Sequence, residues 1–385
     1  MINKSSPLHH DFIWCGGKKV GVALSGGVDS SVVAALLKQG ACPEGTRRIE
    51  VVGLHMRLWK EKPNKNQQIE TEKRIKEIGA VLDIPIKIFD FQKDFKKIVV
   101  DYFVGSYKRG ITPNPCVVCN AKIKFGLLFE KAKEMGCDYL ATGHYTRLWR
   151  EILNPKPETL NKKEGIVKLM QAKCKEKDQS YFLWKLTQRQ LAKTLFPLGE
   201  MESKQKVREM AKKFGLPTYK TKESNDVCFL TNVTQEKFIA ATGLPQIGKI
   251  VDVKGKILGE HKGLWFYTIG QRKGIELSGG PYFVVEKDLK KNTLVVSKNE
   301  KDLFKKELIA KGVNWISGVE PLLPLKVLAK VRYGSEPSIA VVKEKLGFKK
   351  YKIVFTKPQR AITPGQSVVF YGKANELLGG GIIAN

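Results

Sequence analysis

The chain has 385 residues, room for two or three domains, and its 42% hydrophobic and 28% charged residues exclude disorder as the dominant state. Sixty-eight Lys plus Arg against 38 Asp plus Glu leave +30, which suits a polyanionic partner because each phosphate contact releases a condensed counterion. Part of that excess belongs to ordinary solvated helix surface, as in Glu72-Lys73-Arg74 and Lys204-Gln205-Lys206.

Lys18–Leu24 reads as a short β-branched strand running into glycine-rich sequence, and Ser30–Lys38 as a helix stopped by Gly40. Glu50–Leu58 follows as a strand, then Ile69–Leu82 as a helix with Ile75, Ile78 and Leu82 on one face. Ile84–Phe91 predicts a third strand and Phe95–Tyr107 a helix. A Pro- and Cys-containing loop then leads to a helix at Phe125–Met135 and a strand at Asp138–Ala141, which ends in Thr142-Gly143-His144. Such alternation implies a parallel sheet with helices on both faces. Asn154–Gly165 is polar and Pro-containing, the pattern of a surface insertion, and Ser180–Phe214 predicts two helices parted by Pro197-Leu198-Gly199. From about Gln246 the chain turns to glycine-punctuated β runs: Gly248–Asp252, Leu264–Thr268, Pro281–Val285, Lys326–Tyr333, Ser338–Val342, Tyr351–Phe355 and Ser367–Tyr371. An all-β end of this kind closes most simply as a small barrel.

No apolar stretch is long enough to span a membrane, and Met1–Trp14 lacks a signal core, so a cytoplasmic protein is expected. Seven scattered cysteines fit a reducing compartment; Cys15, Cys42, Cys137 and Cys174 read as packing or surface thiols.

Ala23-Leu24-Ser25-Gly26-Gly27-Val28-Asp29-Ser30 follows a strand and opens a helix. Its glycines allow close backbone approach to an anion, its serines supply hydroxyls, and the helix start adds unpaired N–H groups. Neither the dinucleotide fingerprint nor the Walker loop is present. Because a bare Asp29 would repel phosphate, a cation must intervene, and Mg2+ is expected there. Thr112-Pro113-Asn114-Pro115-Cys116-Val117-Val118-Cys119-Asn120 sets two thiols three residues apart in a turn-rich, proline-fixed loop, and Cys228 lies far off in Ser224–Phe229. A zinc ribbon would need a second pair at similar spacing, and there is none.

SGGVDSS, TPNPCVVCN, ATGHY, KDQSYFL, the Ser224–Phe229 segment, FYTIGQRKG, VRYGSEP and TPGQSVVFY occur in that order. Together they resemble the bacterial tRNA-specific 2-thiouridylases, from Lys18 to Leu378. The resemblance implies a doubly wound α/β adenylating domain over 1–224, a small central domain over 225–287 and an antiparallel C-terminal β-barrel over 288–385. It assigns ATP to Ala23, Leu24, Ser25, Gly26, Gly27, Val28, Asp29, Ser30, Met56 and Gly143. The target base falls to Asn114, Pro115 and Cys116. It likens Cys119 to the family's nucleophile and Cys228 to its persulfide carrier, and places tRNA contacts at His144, Lys177, Asp178, Gln179, Arg332, Tyr333 and Gln366. Read by themselves, Met56 would be core, Lys177-Asp178-Gln179 a polar turn and His144 a satisfied strand-end histidine.

The implied reaction adenylates the C2 oxygen of a flipped-out wobble uridine and then transfers sulfur to C2. Cys116 stands where many relatives carry Asp. Three thiols therefore leave two carriers open: a Cys228 persulfide, which the simpler exchange chemistry favours, or a [4Fe–4S] cluster on Cys116, Cys119 and Cys228. The implied partners are tRNA and a cysteine desulfurase or its relay protein, with the enzyme acting as a monomer. An amide-forming adenylating ligase would have no use for the cysteines, and a non-catalytic RNA-binding protein none for an intact loop.

Overall fold

The computed structural model describes residues 17–40, 49–59, 65–150, 165–221, 227–230, 235–240, 243 and 246–384. Cys15, Cys42, nearly all of the insertion read at Asn154–Gly165, and Ser224–Asp226 of the cysteine segment lie outside the described residues.

The first sheet is built as the alternation predicts. Strand β1 (Lys19–Leu24) leads into helix α1 (Val28–Gln39), nine of whose residues are buried. Strand β2 (Glu50–Arg57), helix α2 (Lys65–Leu82) and strand β3 (Ile86–Asp90) follow. Helix α3 runs from Gln92 to Lys108 and turns π-helical at Lys96–Val100. Helix α4 runs from Pro115 to Glu134 through a π-helical segment, Asn120–Leu128, and strand β4 is Tyr139–Ala141. Next come β5 (Thr146–Arg150), β6 (Val167–Gln171) and the short β7 (Thr194–Leu195). The sheet order is β3-β2-β1-β4-β7, all parallel. The strand order reverses beside β1, and in open α/β sheets that crevice at the carboxyl ends receives the ligand.

Two expectations are corrected and one is narrowed. Helix α4 begins at Pro115, not Phe125: Asn114 caps it by accepting from Val117 N–H (3.4 Å), and Pro115 suits the first helical position. The cysteine pair therefore lies on a helix rather than in a loop. The two helices read in Ser180–Phe214 are present but shorter than the segment: a 3-10 turn at Ser180–Leu183 leads to a short helix α5 (Gln188–Ala192), and β7 with Pro197-Leu198-Gly199 parts it from helix α6 (Lys204–Lys213). Thr194 back-bonds to Gln190 O (2.7 Å) where α5 stops, and pairing with β4 holds the next residues extended. Leu264–Phe266 is likewise a 3-10 turn after Gly263.

The all-β end forms two sheets rather than one. Strands β8 (Gly248–Asp252), β9 (Ile257–His261), β10 (Phe283–Asp288) and β11 (Thr293–Ser297) make a small sheet over Ile250, Leu264, Val284, Leu294 and Val296. The remaining strands are β12 (Phe304–Trp315), β13 (Leu325–Lys330), β14 (Ser338–Gly347), β15 (Lys350–Arg360), β16 (Ser367–Tyr371) and β17 (Glu376–Ile383). Because β12 pairs with both β15 and β17, these six antiparallel strands close into a barrel. The antiparallel pair β5–β6 of the first domain adds to it through Leu169↔Leu377, making an eight-stranded sheet separate from the parallel one. Among the described residues no helix is long and apolar enough to cross a membrane.

Candidate active site

The loop after β1 is held by its own hydroxyls. Ser30 Oγ accepts from Ser25 N–H (3.1 Å), donates to Gly27 O (3.2 Å) and stands 3.2 Å from Ser25 Oγ. Gly26 turns at φ +78°, a conformation that favours glycine, and Gly27 starts α1 with no side-chain cap. Nearby carboxyl ends converge here. His55 on β2 is buried with Nδ1 2.9 Å from Leu24 O, and its pKa is lowered by burial. A Cβ on Gly143, just after β4, would lie 3.0 Å from Asp29 Cβ and 3.0 Å from Ser30 N. Ala23 and Met56 are half-buried against the adjoining core, and Leu24 and Val28 are buried.

The cation beside Asp29 is a lysine. Lys204 Nζ, at the start of α6, donates to both carboxylate oxygens at 2.6 Å, and Tyr145 OH donates to Oδ1 at 2.7 Å. Neither residue stood out in the sequence, where Lys204 belongs to a surface-like lysine run.

Cys116 and Cys119 fall three apart on the first turn of α4, hence on one face. Cys119 is buried, Cys116 half-buried and Cys228 exposed. Burial raises all three thiol pKa values; Cys119 and Cys116 raise that of Cys228 further, and Lys124 lowers all three. Solvent reaches Cys228 although protein surrounds its sulfur, so water access offsets part of that rise. The π-helical segment matters here. Lys124, five residues after Cys119, lies within it, and its charge is felt at the Cys119 thiol.

A polar chain joins the thiol helix to the phosphate loop. Asn120 Nδ2 donates to Phe182 O (3.3 Å), which leaves Oδ1 to accept from His144 Nε2 (3.2 Å). His144 Nδ1 then accepts from Thr142 Oγ1 (2.6 Å), and burial holds the ring neutral, well below its ordinary pKa. Cys119 thus adjoins Asn120, and His144 adjoins the Gly143 that touches Asp29.

The residues expected at tRNA divide in two. His144 is buried between Phe125 and Phe196 as an internal link. Asp178 is also internal; its carboxylate accepts from Ala172 N–H (2.9 Å) and Ser180 Oγ (2.7 Å), and burial raises its pKa. Gln179 Oε1 accepts from Tyr145 N–H (3.1 Å). Gln366 Nε2 donates to Thr112 O (3.1 Å) and Pro113 O (3.2 Å), fastening the barrel to the loop before Cys116. Lys177 is half-buried, while Arg332 and Tyr333 are exposed. The Tyr333 ring centroid lies 4.5 Å from that of Phe182, tilted by 37°, an accessible aromatic pair on the same segment that holds Asn120.

The chain matches three family profiles: the tRNA methyl transferase HUP domain over 18–232, the tRNA methyl transferase PRC-barrel domain over 236–298, and the aminomethyltransferase beta-barrel domain over 305–383. It is 42% identical over 378 residues to the tRNA-specific 2-thiouridylase MnmA of Clostridioides difficile (strain 630), covering 95% of this chain and 98% of that one. The protein of the same name from Moorella thermoacetica is 41% identical over 371 residues, covering 94% and 98%. A solved U34-tRNA thiolase NcsA from Methanococcus maripaludis with its [4Fe-4S] cluster is 20% identical, covers 58% of this chain and 68% of that one, and has a TM-score of 0.36, too slight a likeness to bear on the cysteines.

Proposed function

Because the chain belongs to the tRNA-specific 2-thiouridylase family, we propose that it uses ATP to replace the C2 oxygen of the wobble uridine of tRNA with sulfur carried as a persulfide on Cys228. The observation that carries this reading is the Asn120–His144 bond (3.2 Å), which sets the thiol helix against the strand end that touches Asp29. Activation of the C2 oxygen and sulfur transfer to the C2 carbon thereby fall on one carbonyl group of the substrate.

The loop from Ser25 to Ser30 holds the phosphates while the uracil C2 oxygen attacks the α-phosphate and releases pyrophosphate. Asn114, Pro115 and Cys116 border the flipped base, and Tyr333, packed against Phe182, offers a ring to a neighbouring base. The terminal sulfur of the Cys228 persulfide attacks C2, and AMP leaves with the former C2 oxygen. Cys119 thiolate then attacks Cys228 Sγ. A Cys119–Cys228 disulfide forms and the sulfur stays on C2, so an external dithiol must supply two electrons to reset the site. Lys124 supports both thiolates.

Among the described residues no three His, Cys, Asp or Glu side chains are grouped to hold one ion, and the persulfide route needs none; Mg2+ arriving with ATP would take its ligands from the phosphates and Asp29. The chain is read as a monomeric cytoplasmic enzyme acting on tRNA, recharged by a desulfurase or relay protein.

The test is anaerobic purification with iron and acid-labile sulfide analysis of wild type and Cys116→Ser, alongside tRNA-dependent AMP release and 2-thiouridine formation from a persulfide donor. A colourless protein that thiolates tRNA, and loses this in Cys119→Ser and Cys228→Ser, supports the route. About four irons per chain, lost in Cys116→Ser, would overturn the persulfide carrier.

A further inference from the structure

Two stretches that meet at the thiol helix carry cations and no acid. Pro115–Phe129 holds Lys122 and Lys124, and Gln179–Gly199 holds Lys185, Arg189 and Lys193, without one Asp or Glu in either. Asn120 Nδ2, donating to Phe182 O (3.3 Å), fastens the first stretch to the second. Lys185 stands at the seam with the barrel, and its backbone is pinned on both sides. Asn314 Nδ2 of β12 donates to Trp184 O (2.8 Å) and to Leu186 O (3.0 Å). Trp184 is fully buried and donates from Nε1 to Ser367 Oγ (3.0 Å). The Lys185 ammonium lies 5.1 Å from the centroid of that fixed ring. Lys185 is half-buried, and the charge that acts on it is the like charge of exposed Lys122, three residues after Cys119. The acids of α4 are engaged elsewhere, Glu130 with Arg189 (3.1 Å) and Glu134 with Lys131 (2.6 Å).

A half-buried ammonium beside a second ammonium, with no ion pair to a described carboxylate, is costly until an anion joins them. The exposed Tyr333 ring packs on Phe182, three residues before Lys185, so cations and an accessible ring border the same thiol helix. Single-stranded RNA is held in this way, by charge on its backbone and by a ring against its bases. An acidic protein would use the cations and not the ring. We propose that Lys122 and Lys185 hold backbone phosphates of the tRNA anticodon loop, beside the nucleotide that enters the thiol site. This rests on the reading above in taking tRNA as the substrate. Phosphate contacts of this kind fix the register of the strand and read no base.

The experiment measures filter binding of an unmodified tRNA transcript with a wobble uridine, and of its isolated anticodon stem-loop, between about 50 and 200 mM salt without ATP. The full chain is compared as wild type, Lys122→Met, Lys185→Met, Lys185→Arg and Lys122→Met/Lys185→Met, with exposed Lys76→Met in α2 as the control. Each single Met variant should lower the slope of log affinity against log salt by about 0.7–0.9, and the double variant by roughly twice that, for both RNAs. Lys185→Arg and Lys76→Met should keep the wild-type slope. Lys185→Met loses no ion pair to a described residue and keeps an apolar stem over Trp184, so urea unfolding should show no loss of stability. An unchanged slope in both single Met variants overturns the proposal. So does a change seen with whole tRNA and not with the stem-loop, which would place the contact away from the anticodon. Unchanged RNA binding together with lost recharging by a desulfurase would overturn it in favour of an acidic protein partner. Variants that shift the slopes as expected, in a chain whose wild type never thiolates tRNA, would sink the functional reading and leave this one standing.

Discussion

Replacing Gly143 with alanine isolates the close approach on which the nucleotide site is built. The added Cβ would lie 3.0 Å from Asp29 Cβ, 3.0 Å from Ser30 N and 3.2 Å from the Asp29 carbonyl carbon. Such contacts are tighter than carbon atoms normally make, so the end of β4 and the start of α1 must part by a few tenths of an ångström. Two of those atoms are backbone, and no rotamer change relieves them. Gly143 is not among the residues with positive φ, so alanine gains about 0.4–1 kcal/mol by stiffening the unfolded chain. Overpacking opposes this at about 1–3 kcal/mol. We expect a net loss near 1 kcal/mol in urea unfolding, and ATP bound about tenfold more weakly, since a ~1 Å misplacement can cost ~10²-fold in function. Gly105→Ala in α3 is the control: its Cβ meets only Arg109 Nη1 at 3.6 Å, and the change should stabilise by up to about 1 kcal/mol. Gly143→Ala with wild-type ATP affinity would refute the idea that this contact positions the loop.

Lys124→Met tests the shared cation. Burial raises the three thiol pKa values and Lys124 lowers them, so the thiolate fraction grows as pH rises. Without Lys124 the pH–rate profile for tRNA thiolation should move to higher pH, with the rate near neutrality down about tenfold; an unmoved profile would dismiss the role. Tyr333→Ala should weaken tRNA binding about tenfold by filter binding while leaving ATP affinity alone, since its ring is exposed over Phe182. Glu72 is held down to about 2, first by its bond with Arg57. Its folded pKa lies below the unfolded value of about 4.3, so the stabilisation is present above that pH and is lost as pH falls toward 2. With Arg57 about one third exposed, solvent screening leaves roughly 1 kcal/mol at pH 7, which Glu72→Gln should remove at pH 7 but not near pH 2.

Much of this protein is legible in its sequence because the signals are local. β-branched runs between amphipathic helices predict the parallel sheet, and Ser-Gly-Gly-Val-Asp-Ser marks the phosphate loop. The spacing of Cys116 and Cys119 puts both thiols together, although Asn114 and Pro115 make that site a helix start and not a loop. What escaped depends on partners distant along the chain. Periodicity cannot show that β5 and β6 extend the barrel sheet, because pairing Leu169 with Leu377 is decided by the fold. It cannot show that His144 points inward to Asn120, or that Gln366 clasps Thr112 and Pro113. Lys204-Gln205-Lys206 reads as solvated helix surface, and two of the three residues are exposed. The first reaches inward across 175 residues to Asp29, because only the packing of α6 against α1 brings an ammonium to a carboxylate that, in the sequence, already required a cation.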